Sequence, residues 1–342
     1  MNIILLSGGS GKRLWPLSKD VRSKQFLKIF KNEKGEYESM IQKIYKSLKK
    51  VNNESMITIA ASQTQVPIID EQIGKNIEIS VEPCSKDTFP AIALATAYLH
   101  YVKKMDLEEV VVVCPVDSCV EDEYFRALEE LYRLIKSSEY KICLMGIKPT
   151  YPSEKYGYII PQNKDKVSKV KTFKEKPDLE TAKKYIENGA LWNGGVFAFK
   201  LKNILDISHK LIDFEDYYDL FDKYESLEKI SFDYAVLEKE PEIQVMRYEG
   251  EWEDLGTWDT LTEVMEENIL GDAIKNNNCE NTHIINELNI PILCMGLKNI
   301  VVVASDQGIL ISDKEQSGYI KPYVEQINKS VTFTEEKNNN IS

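Results

Sequence analysis

The sequence predicts an α/β protein with a mostly parallel, doubly wound sheet, followed by a small β-rich domain. Two patterns predict it. Up to about residue 150, apolar strand-like runs alternate with amphipathic helical stretches, which is typical of strand–helix–strand units. After about residue 270, short apolar runs are separated by Asn, Asp and Gly turns, as in small β structures.

Composition limits the classes of partner. The chain has 342 residues and a net charge of −12 without a basic arm or stripe, which argues against a nucleic-acid polymer as partner. Neither a secretory signal nor a membrane-length apolar run is evident, so we expect a cytoplasmic protein with no membrane partner. Three scattered histidines and six cysteines without a CxxC pair argue against zinc; a metal would be a hard ion held by carboxylates.

The elements of the first half follow from their periodicity. Val110 to Val113 is continuously apolar, as expected for a strand covered on both faces. Strands are predicted at Ile3–Leu6, Met56–Ala60, Ile77–Val81, Val110–Cys114 and Ile142–Ile147, and helices at Ser39–Lys50, Pro90–Lys104 and Glu123–Ser137.

The remaining elements are shorter. Asp178 suits the N-cap of a helix over Leu179–Asn188, with Gly189 as its stop. The segment Leu191–Phe199 is predicted as a turn followed by a strand. Further strands and one helix are predicted at Thr282–Ile285, Ile292–Gly296, Ile300–Ala304, Gly308–Ile311 and, for the helix, Tyr319–Ile327. We expect domains at 1–268 and 269–335, then a polar tail at 336–342.

A glycine-rich turn follows the first strand, with Gly8, Gly9 and Gly11 within four positions. Such a turn can present backbone N–H groups to an anion, and Arg13 and Lys24 add positive charge beside it. A tight turn without a ligand would explain the glycines equally well. Neither GxxxxGK[ST] nor GxGxxG is complete here, so these two phosphate motifs are excluded.

Further charged side chains that could bind a phosphate or a metal ion follow other predicted elements. Asp117 follows the strand ending at Cys114, and parallel sheets bind ligands at that end, so we expect Asp117 to share a crevice with the glycine turn. Asp254 and Lys176 add a second carboxylate and a third cation. Nucleotidyl transfer needs such groups, because it depends on positioning and on neutralising oxygen charge. The alternatives are a turn cap for Asp117, a helix cap for Asp254 and a solvated Lys176.

Eight motifs in order resemble the sugar-phosphate nucleotidyltransferases, and within them the mannose-1-phosphate guanylyltransferases. The motifs are LSGGSGKRLWPLS with KQF, EPCSKDTFPAIALA, PVD, YGYI, FKEKPD, LWNGGVFAF, SFDYAVLEK and WEDLGTWD. The resemblance implies a Rossmann-like nucleotidyltransferase domain with a mixed sheet, a small C-terminal β-helix-like domain and a homodimer. We expect no appended isomerase domain.

The same resemblance implies transfer of GMP from GTP to mannose 1-phosphate, with Mg²⁺ held by Asp117 and Asp254. Arg13 and Lys24 would bind the leaving pyrophosphate, and Lys176 the incoming phosphate. The implied nucleotide-binding residues are Leu6, Gly8, Gly9, Gly11, Lys12, Glu82, Pro83 and Thr88. The implied sugar-binding residues are Gly157, Glu175, Asn193 and Asp233.

The sequence departs from the family pattern at four positions: Lys12 stands for Thr, Ser23 for Pro, Phe89 for Ala and Ser118 for His. These leave open another hexose 1-phosphate or nucleoside triphosphate as substrate. A further alternative is a non-catalytic protein that binds sugar nucleotides. Such a protein would not need the two carboxylates, so the presence of Asp117 and Asp254 argues against it.

Overall fold

A computed structural model describes residues 1–9, 11–19 and 21–329 of the chain. The side chain of Lys12 and the expected polar tail at 336–342 lie outside this description. Within the described residues, every helix is too short or too polar to cross a membrane.

The strands, in chain order, are β1 (Asn2–Leu6), β2 (Phe30–Lys31), β3 (Tyr37–Glu38), β4 (Met56–Ser62), β5 (Glu78–Glu82), β6 (Val110–Pro115), β7 (Ser118–Val120), β8 (Ile142–Ile147), β9 (Tyr158–Pro161), β10 (Val167–Lys174), β11 (Leu191–Lys200), β12 (Ile243–Tyr248), β13 (Trp252–Asp254), β14 (Ile269–Leu270), β15 (Ala273–Lys275), β16 (His283–Asn286), β17 (Ile292–Cys294), β18 (Ile300–Ser305) and β19 (Gly308–Asp313).

The α-helices are α1 (Met40–Val51), α2 (Val66–Gln72), α3 (Thr88–Ala97), α4 (Asp122–Lys136), α5 (Leu179–Glu187), α6 (Leu201–Leu211), α7 (Tyr217–Lys223), α8 (Trp258–Glu263) and α9, whose described part covers 321–329. Wide π-helical turns follow α3 at Tyr98–Val102 and precede β12 at Asp233–Leu237.

The chain forms two compact units. The first comprises Met1–Gly8, Ile44–Val116 and Val120–Trp252, and the second comprises Gly9–Lys43, Asp117–Cys119 and the chain from Glu253. These units cut across the domain boundary expected after residue 268, because residues such as Leu14, Leu27 and Phe30 pack in one core with Trp258 and Val301. The expected domain boundary itself stays a prediction.

The first unit is built on a nine-stranded mixed sheet in the order β5-β4-β1-β6-β11-β8-β12-β10-β9. β5, β4, β1 and β6 are parallel to one another, and β11 runs antiparallel to both β6 and β8. Leu6 and Pro115 are register partners at the carboxyl ends of β1 and β6. The glycine turn and the loop to Asp117 therefore leave from neighbouring strands at the end where parallel sheets bind ligands.

The second unit contains the β-rich carboxyl-terminal strands. β14, β16 and β18 form a parallel ladder, β15 pairs in parallel with β17, and β19 is antiparallel to β18. The side chain of Trp258 is fully buried in the core of this unit, and its indole N–H donates to the carbonyl of Trp15 at 3.0 Å.

The structure confirms the predicted fold class and corrects several elements. β11 is one strand from Leu191 to Lys200 rather than a turn followed by a strand, because its register to β8 shifts between Asn193 and Phe197 and absorbs the glycines. α2 was not predicted. Thr257, and not Asp254, caps α8, because the Thr257 hydroxyl accepts the N–H of Thr260.

Candidate active site

The glycine turn requires glycine for two measurable reasons. Gly9 and Gly11 have φ values of 104° and 56°, in the left-handed region. A Cβ on Gly11 would lie 3.0 Å from the backbone nitrogen of Lys24 and 3.1 Å from Cβ of Ser18. The turn therefore packs directly on the segment that carries Lys24. A Cβ on Gly8 would meet nothing within 4 Å, so crowding does not explain glycine there.

Lys24, Asp117 and Asp254 form one ion cluster in the second unit. The Lys24 ammonium lies 2.7 Å from Oδ2 of Asp117 and 3.3 Å from Oδ1 of Asp254. The side chain of Lys24 is 14% exposed. Burial alone would lower the pKa of Lys24, but the charges of Asp117 and Asp254 and their hydrogen bonds outweigh it and raise this pKa above its usual value. The lysine is therefore held as a cation.

Short elements around the two carboxylates fix their positions. Asp117 immediately precedes β7, Asp254 ends β13, and these two strands pair in a small sheet. A Cβ on Gly256 would lie 3.2 Å from Oδ2 of Asp254 and 3.6 Å from Nη1 of Arg13. The exposed Arg13 guanidinium thus reaches the loop after β13, close to the carboxylate of Asp254.

The donor set fits a magnesium ion held partly by substrate. Asp117 and Asp254 both approach one position, which the Lys24 ammonium takes up in this structure. Mg²⁺ prefers oxygen ligands and is commonly bound by one or two carboxylates plus substrate phosphates. In the described ranges, no group of three or more His, Cys, Asp and Glu side chains could form a metal cage. The residues present fit a shared site rather than a protein-only one.

A second polar cluster lies in the first unit, around Glu175. The Glu175 side chain is 5% exposed, and its Oε1 accepts from the ammonium of Lys176 at 2.6 Å. Its Oε2 is buried and has no hydrogen-bond partner among the described residues. A Cβ on Gly157 would lie 2.5 Å from this Oε2, so only glycine allows the carboxylate to sit here. An unpartnered buried carboxylate oxygen is costly and is well suited to accept a ligand hydroxyl.

Asp233 and Asn193 join this cluster. The Asn193 amide donates to Oδ1 of Asp233 at 2.6 Å, and its carbonyl accepts the N–H of Gly195 at 3.1 Å. The backbone N–H of Asn193 donates to the carbonyl of Gly157 at 2.8 Å. Burial, and then the charge of Glu175, raise the pKa of Asp233 to about 7.

The pKa of Lys176 lies above its usual value. Burial opposes this shift, but the hydrogen bond and the charge of Glu175 outweigh it. Its φ of +43° places the residue in a conformation that is uncommon for a lysine. The half-exposed ammonium is thus aimed by both the backbone and Glu175.

Sequence reasoning missed an aromatic cluster beside Asn193. Tyr156, Trp192 and Trp252 pack ring against ring, with centroid distances of 4.8 to 6.4 Å. The indole N–H groups of both tryptophans are buried and lack a hydrogen-bond partner within the described part of the chain. The signal available in the sequence was the pairing of each tryptophan with a predicted site motif, LWNGG and WEDLG.

Glu82, Pro83 and Thr88 lie at the carboxyl end of β5 and the start of α3. Glu82 is 7% exposed, and its Oε2 accepts from the hydroxyl of Tyr224 at 2.7 Å. Pro83 follows in a bend, and the Thr88 hydroxyl accepts the N–H of Phe232 at 2.8 Å. Tyr224 was not singled out from the sequence.

Comparison with known proteins decides the family. The nucleotidyl transferase family model matches residues 2–269. The chain belongs to this family. As a nucleotidyltransferase, it is 32% identical to a mannose-1-phosphate guanylyltransferase of Escherichia coli strain K12, over 95% of this chain and 73% of that protein. It is 31% identical to the xanthan biosynthesis protein XanB of Xanthomonas campestris strain B100, over 95% of this chain and 72% of XanB.

Solved structures agree with this nucleotidyltransferase family. The crystal structure of a Thermus thermophilus protein described as mannose-1-phosphate geranyltransferase superposes with a TM-score of 0.78 at 26% identity, covering 96% of this chain and 98% of that one. The chain is therefore a nucleotidyltransferase enzyme related to mannose-1-phosphate guanylyltransferases. The roles of individual residues stay predictions.

The structure shows the surroundings of two positions at which the sequence departs from the family pattern. Phe89, named above as a departure from the family pattern, is 3% exposed and belongs to the hydrophobic core of the first unit. Ser118, the other such departure, is buried in β7 directly after Asp117. Neither position removes a charged group from the two polar clusters.

Proposed function

We propose that this nucleotidyltransferase transfers GMP from GTP to α-D-mannose 1-phosphate, giving GDP-mannose and pyrophosphate. The observation that carries the proposal is the cluster of Lys24, Asp117 and Asp254 in a chain whose relatives are named mannose-1-phosphate guanylyltransferases. A phosphate oxygen of mannose 1-phosphate attacks the α-phosphorus of GTP. The bond from this phosphorus to the bridging oxygen of the β-phosphate breaks, and pyrophosphate leaves with the electron pair. No covalent enzyme intermediate is needed.

The second unit is proposed to act on the triphosphate. The amides of the glycine turn bind its oxygens, and Arg13 and Lys24 neutralise the charge that grows on the departing pyrophosphate. Asp117 and Asp254 would hold Mg²⁺, which, when bound, polarises the α-phosphate and orients the two reacting phosphates. As Mg²⁺ and GTP bind, Lys24 would exchange its carboxylate partners for phosphate oxygens.

The cluster around Glu175 is proposed to act on the sugar phosphate. Lys176 binds its phosphate, and the unpartnered Oε2 of Glu175 accepts a sugar hydroxyl. Asp233, which is oriented by Asn193, and the backbone of Gly157 provide further polar groups for the sugar. A sugar lacking the matching hydroxyl would leave a buried oxygen unpaired, which is an effective basis for rejection.

The reaction is tested with purified protein, each of GTP, ATP, UTP and dTTP, and either mannose 1-phosphate or glucose 1-phosphate. Pyrophosphate release is followed with Mg²⁺ and again with EDTA. We expect GTP with mannose 1-phosphate to be the most efficient pair and EDTA to abolish turnover. A different best pair would overturn the assignment, and GDP-mannose binding without any turnover would indicate a non-catalytic protein.

Matched variants test the residue roles. Asp254→Asn and Lys176→Ala are expected to reduce turnover by about a hundredfold or more, in the range typical for lost electrostatic stabilisation. The controls are Asp272→Asn and Lys171→Ala, which change exposed residues outside both clusters. Near-normal activity of either site variant would remove that residue from the mechanism. Light scattering tests the homodimer, which we propose from the family resemblance.

A further inference from the structure

Glu82 occupies a defined place in the sheet. It is the last residue of β5 and the register partner of Ser62 in β4, at the same end of the sheet as Leu6 in β1. Neighbouring strands lie about 4.8 Å apart, so Glu82 is roughly 10 Å across the sheet from the strand that leads into the glycine turn. A carboxylate at the ligand-binding end of the sheet suits a ligand that presents N–H donors.

The Glu82 side chain has a specific partner from a distant part of the chain. Tyr224 begins a short 3-10 turn after α7, and its hydroxyl donates to Oε2 of Glu82 at 2.7 Å. Its ring is fully buried and packs with Leu94 and Ala97 of α3 and with Leu220 of α7. Because side chains pack against the ring on several sides, they fix the position of its hydroxyl oxygen. The Glu82 carboxylate is therefore held at one oxygen by a rigid donor.

We propose that Tyr224 is a positioning residue for guanine recognition: by binding one oxygen of Glu82, it orients the carboxylate to accept the N1–H and N2–H groups of guanine. This inference rests on the proposed function and on the expectation, from the family resemblance, that Glu82 contacts the nucleotide. Adenine carries a lone pair at N1 and no amine at C2, so it would face the carboxylate without a donor. A buried acceptor left unpaired in this way gives strong discrimination.

The titration of Glu82 provides a signature of this arrangement. Burial raises the pKa of Glu82 to about 7, the Tyr224 hydroxyl opposes the rise, and the charge of Asp87 adds to it. Cys84 is a further titratable neighbour on the Tyr224 side. Only the ionised carboxylate can accept at every lone pair, so guanine binding should weaken as pH falls through 7. Without the Tyr224 hydroxyl, this transition should move to higher pH.

The test compares Tyr224→Phe with the wild-type enzyme, using GTP and inosine triphosphate, which lacks the N2 amine. We expect the KM for GTP to rise about tenfold with kcat within about twofold, as for one lost charge-assisted hydrogen bond. The preference for GTP over inosine triphosphate should shrink, and the pH midpoint of kcat/KM for GTP should rise. The control is Tyr101→Phe, which removes a hydroxyl bound to His209 from the same packed layer.

The outcomes separate this inference from the proposed function. If another triphosphate is the better donor for the wild-type enzyme, the proposed function fails and the inference fails with it. If GTP is the best donor but Tyr224→Phe keeps the wild-type KM, triphosphate preference and pH midpoint, only the inference fails. Should Tyr224→Phe not fold, the wild-type preference for GTP over inosine triphosphate, measured as the ratio of their kcat/KM values, decides: a ratio that stays constant between pH 6 and 8.5 overturns the inference, and a ratio that shrinks as pH falls through 7 supports it.

Discussion

Gly157→Ala is the sharpest test of the sugar-phosphate cluster. The new Cβ would lie 2.5 Å from Oε2 of Glu175 and 2.8 Å from Cζ of Phe173, closer than real Cβ contacts allow. Both neighbours are more than nine-tenths buried and have little room to retreat. Such overpacking typically costs about 1–3 kcal/mol in the free energy of unfolding. We expect the Glu175 carboxylate, rather than the Phe173 ring, to be displaced, because Lys176 already holds the other carboxylate oxygen at 2.6 Å.

Displacing Glu175 should weaken the binding of mannose 1-phosphate and leave the binding of GTP unchanged. A hydrogen bond to a charged group contributes about 1.5–3 kcal/mol, so we expect the KM for mannose 1-phosphate to rise roughly tenfold to a hundredfold. The KM for GTP should stay within about twofold of wild type. Steady-state kinetics with each substrate varied in turn, together with urea unfolding, measures both effects.

Gly318→Ala is the matched control for this substitution. Its Cβ would make only an ordinary 3.6 Å contact with Cγ2 of Thr257. Wild-type stability and mannose 1-phosphate KM in Gly157→Ala would refute the reasoning, because they would mean that Glu175 neither resists the Cβ nor binds the sugar. Equal increases in both KM values would instead point to general damage to the fold.

Two further predictions concern the second unit. Lys24→Met should strengthen Mg²⁺ binding to the nucleotide-free protein by roughly tenfold or more, because a competing cation is removed from between two carboxylates. Calorimetric titration measures this, with Lys19→Met as control; unchanged affinity would argue against a shared site. His283 is buried, and burial followed by the charges of Lys314 and Lys275 lowers its pKa to about 4. The unfolded chain therefore binds the proton first, so stability is lost as pH falls from 6.5 towards 4, by at most about 3 kcal/mol. His283→Gln should flatten this loss in urea unfolding between pH 7 and 5; an unchanged slope would exclude His283 as its source.

Much of the fold could be predicted because its strands are continuous apolar runs. Val110 to Val113 is buried on both faces, as its composition indicates, and β8 begins and ends at the predicted residues. α2 escaped prediction because it is only seven residues long, with proline near its start. The predicted helix after Pro90 ends early as an α-helix, because a π-helical turn begins at Tyr98, and local periodicity does not distinguish the two.

In the candidate site too, some residues could be named from the sequence, whereas contacts between distant segments could not. Lys24, Asp117 and Asp254 could be named from strand ends and motif order, and the structure brings them to one point. The bond between Tyr224 and Glu82 joins residues 142 positions apart and carries no local pattern. The occupied amide of Asn193 is likewise a product of tertiary structure, since Asp233 comes from a different element.

The irregular register of β11 links sheet geometry to the orientation of its polar residues. Between Asn193 and Phe197 the strand carries two more residues than β8 does over the same span. An even number of extra residues preserves the alternation of side chains between sheet faces, whereas an odd number inverts it. Deleting Gly194 alone would therefore turn Trp192 and Asn193 to the opposite face if Phe197 kept its partner. Deleting Gly194 and Gly195 together would restore the facing with a shorter strand, so length variation at this point is expected to be tolerated in steps of two residues.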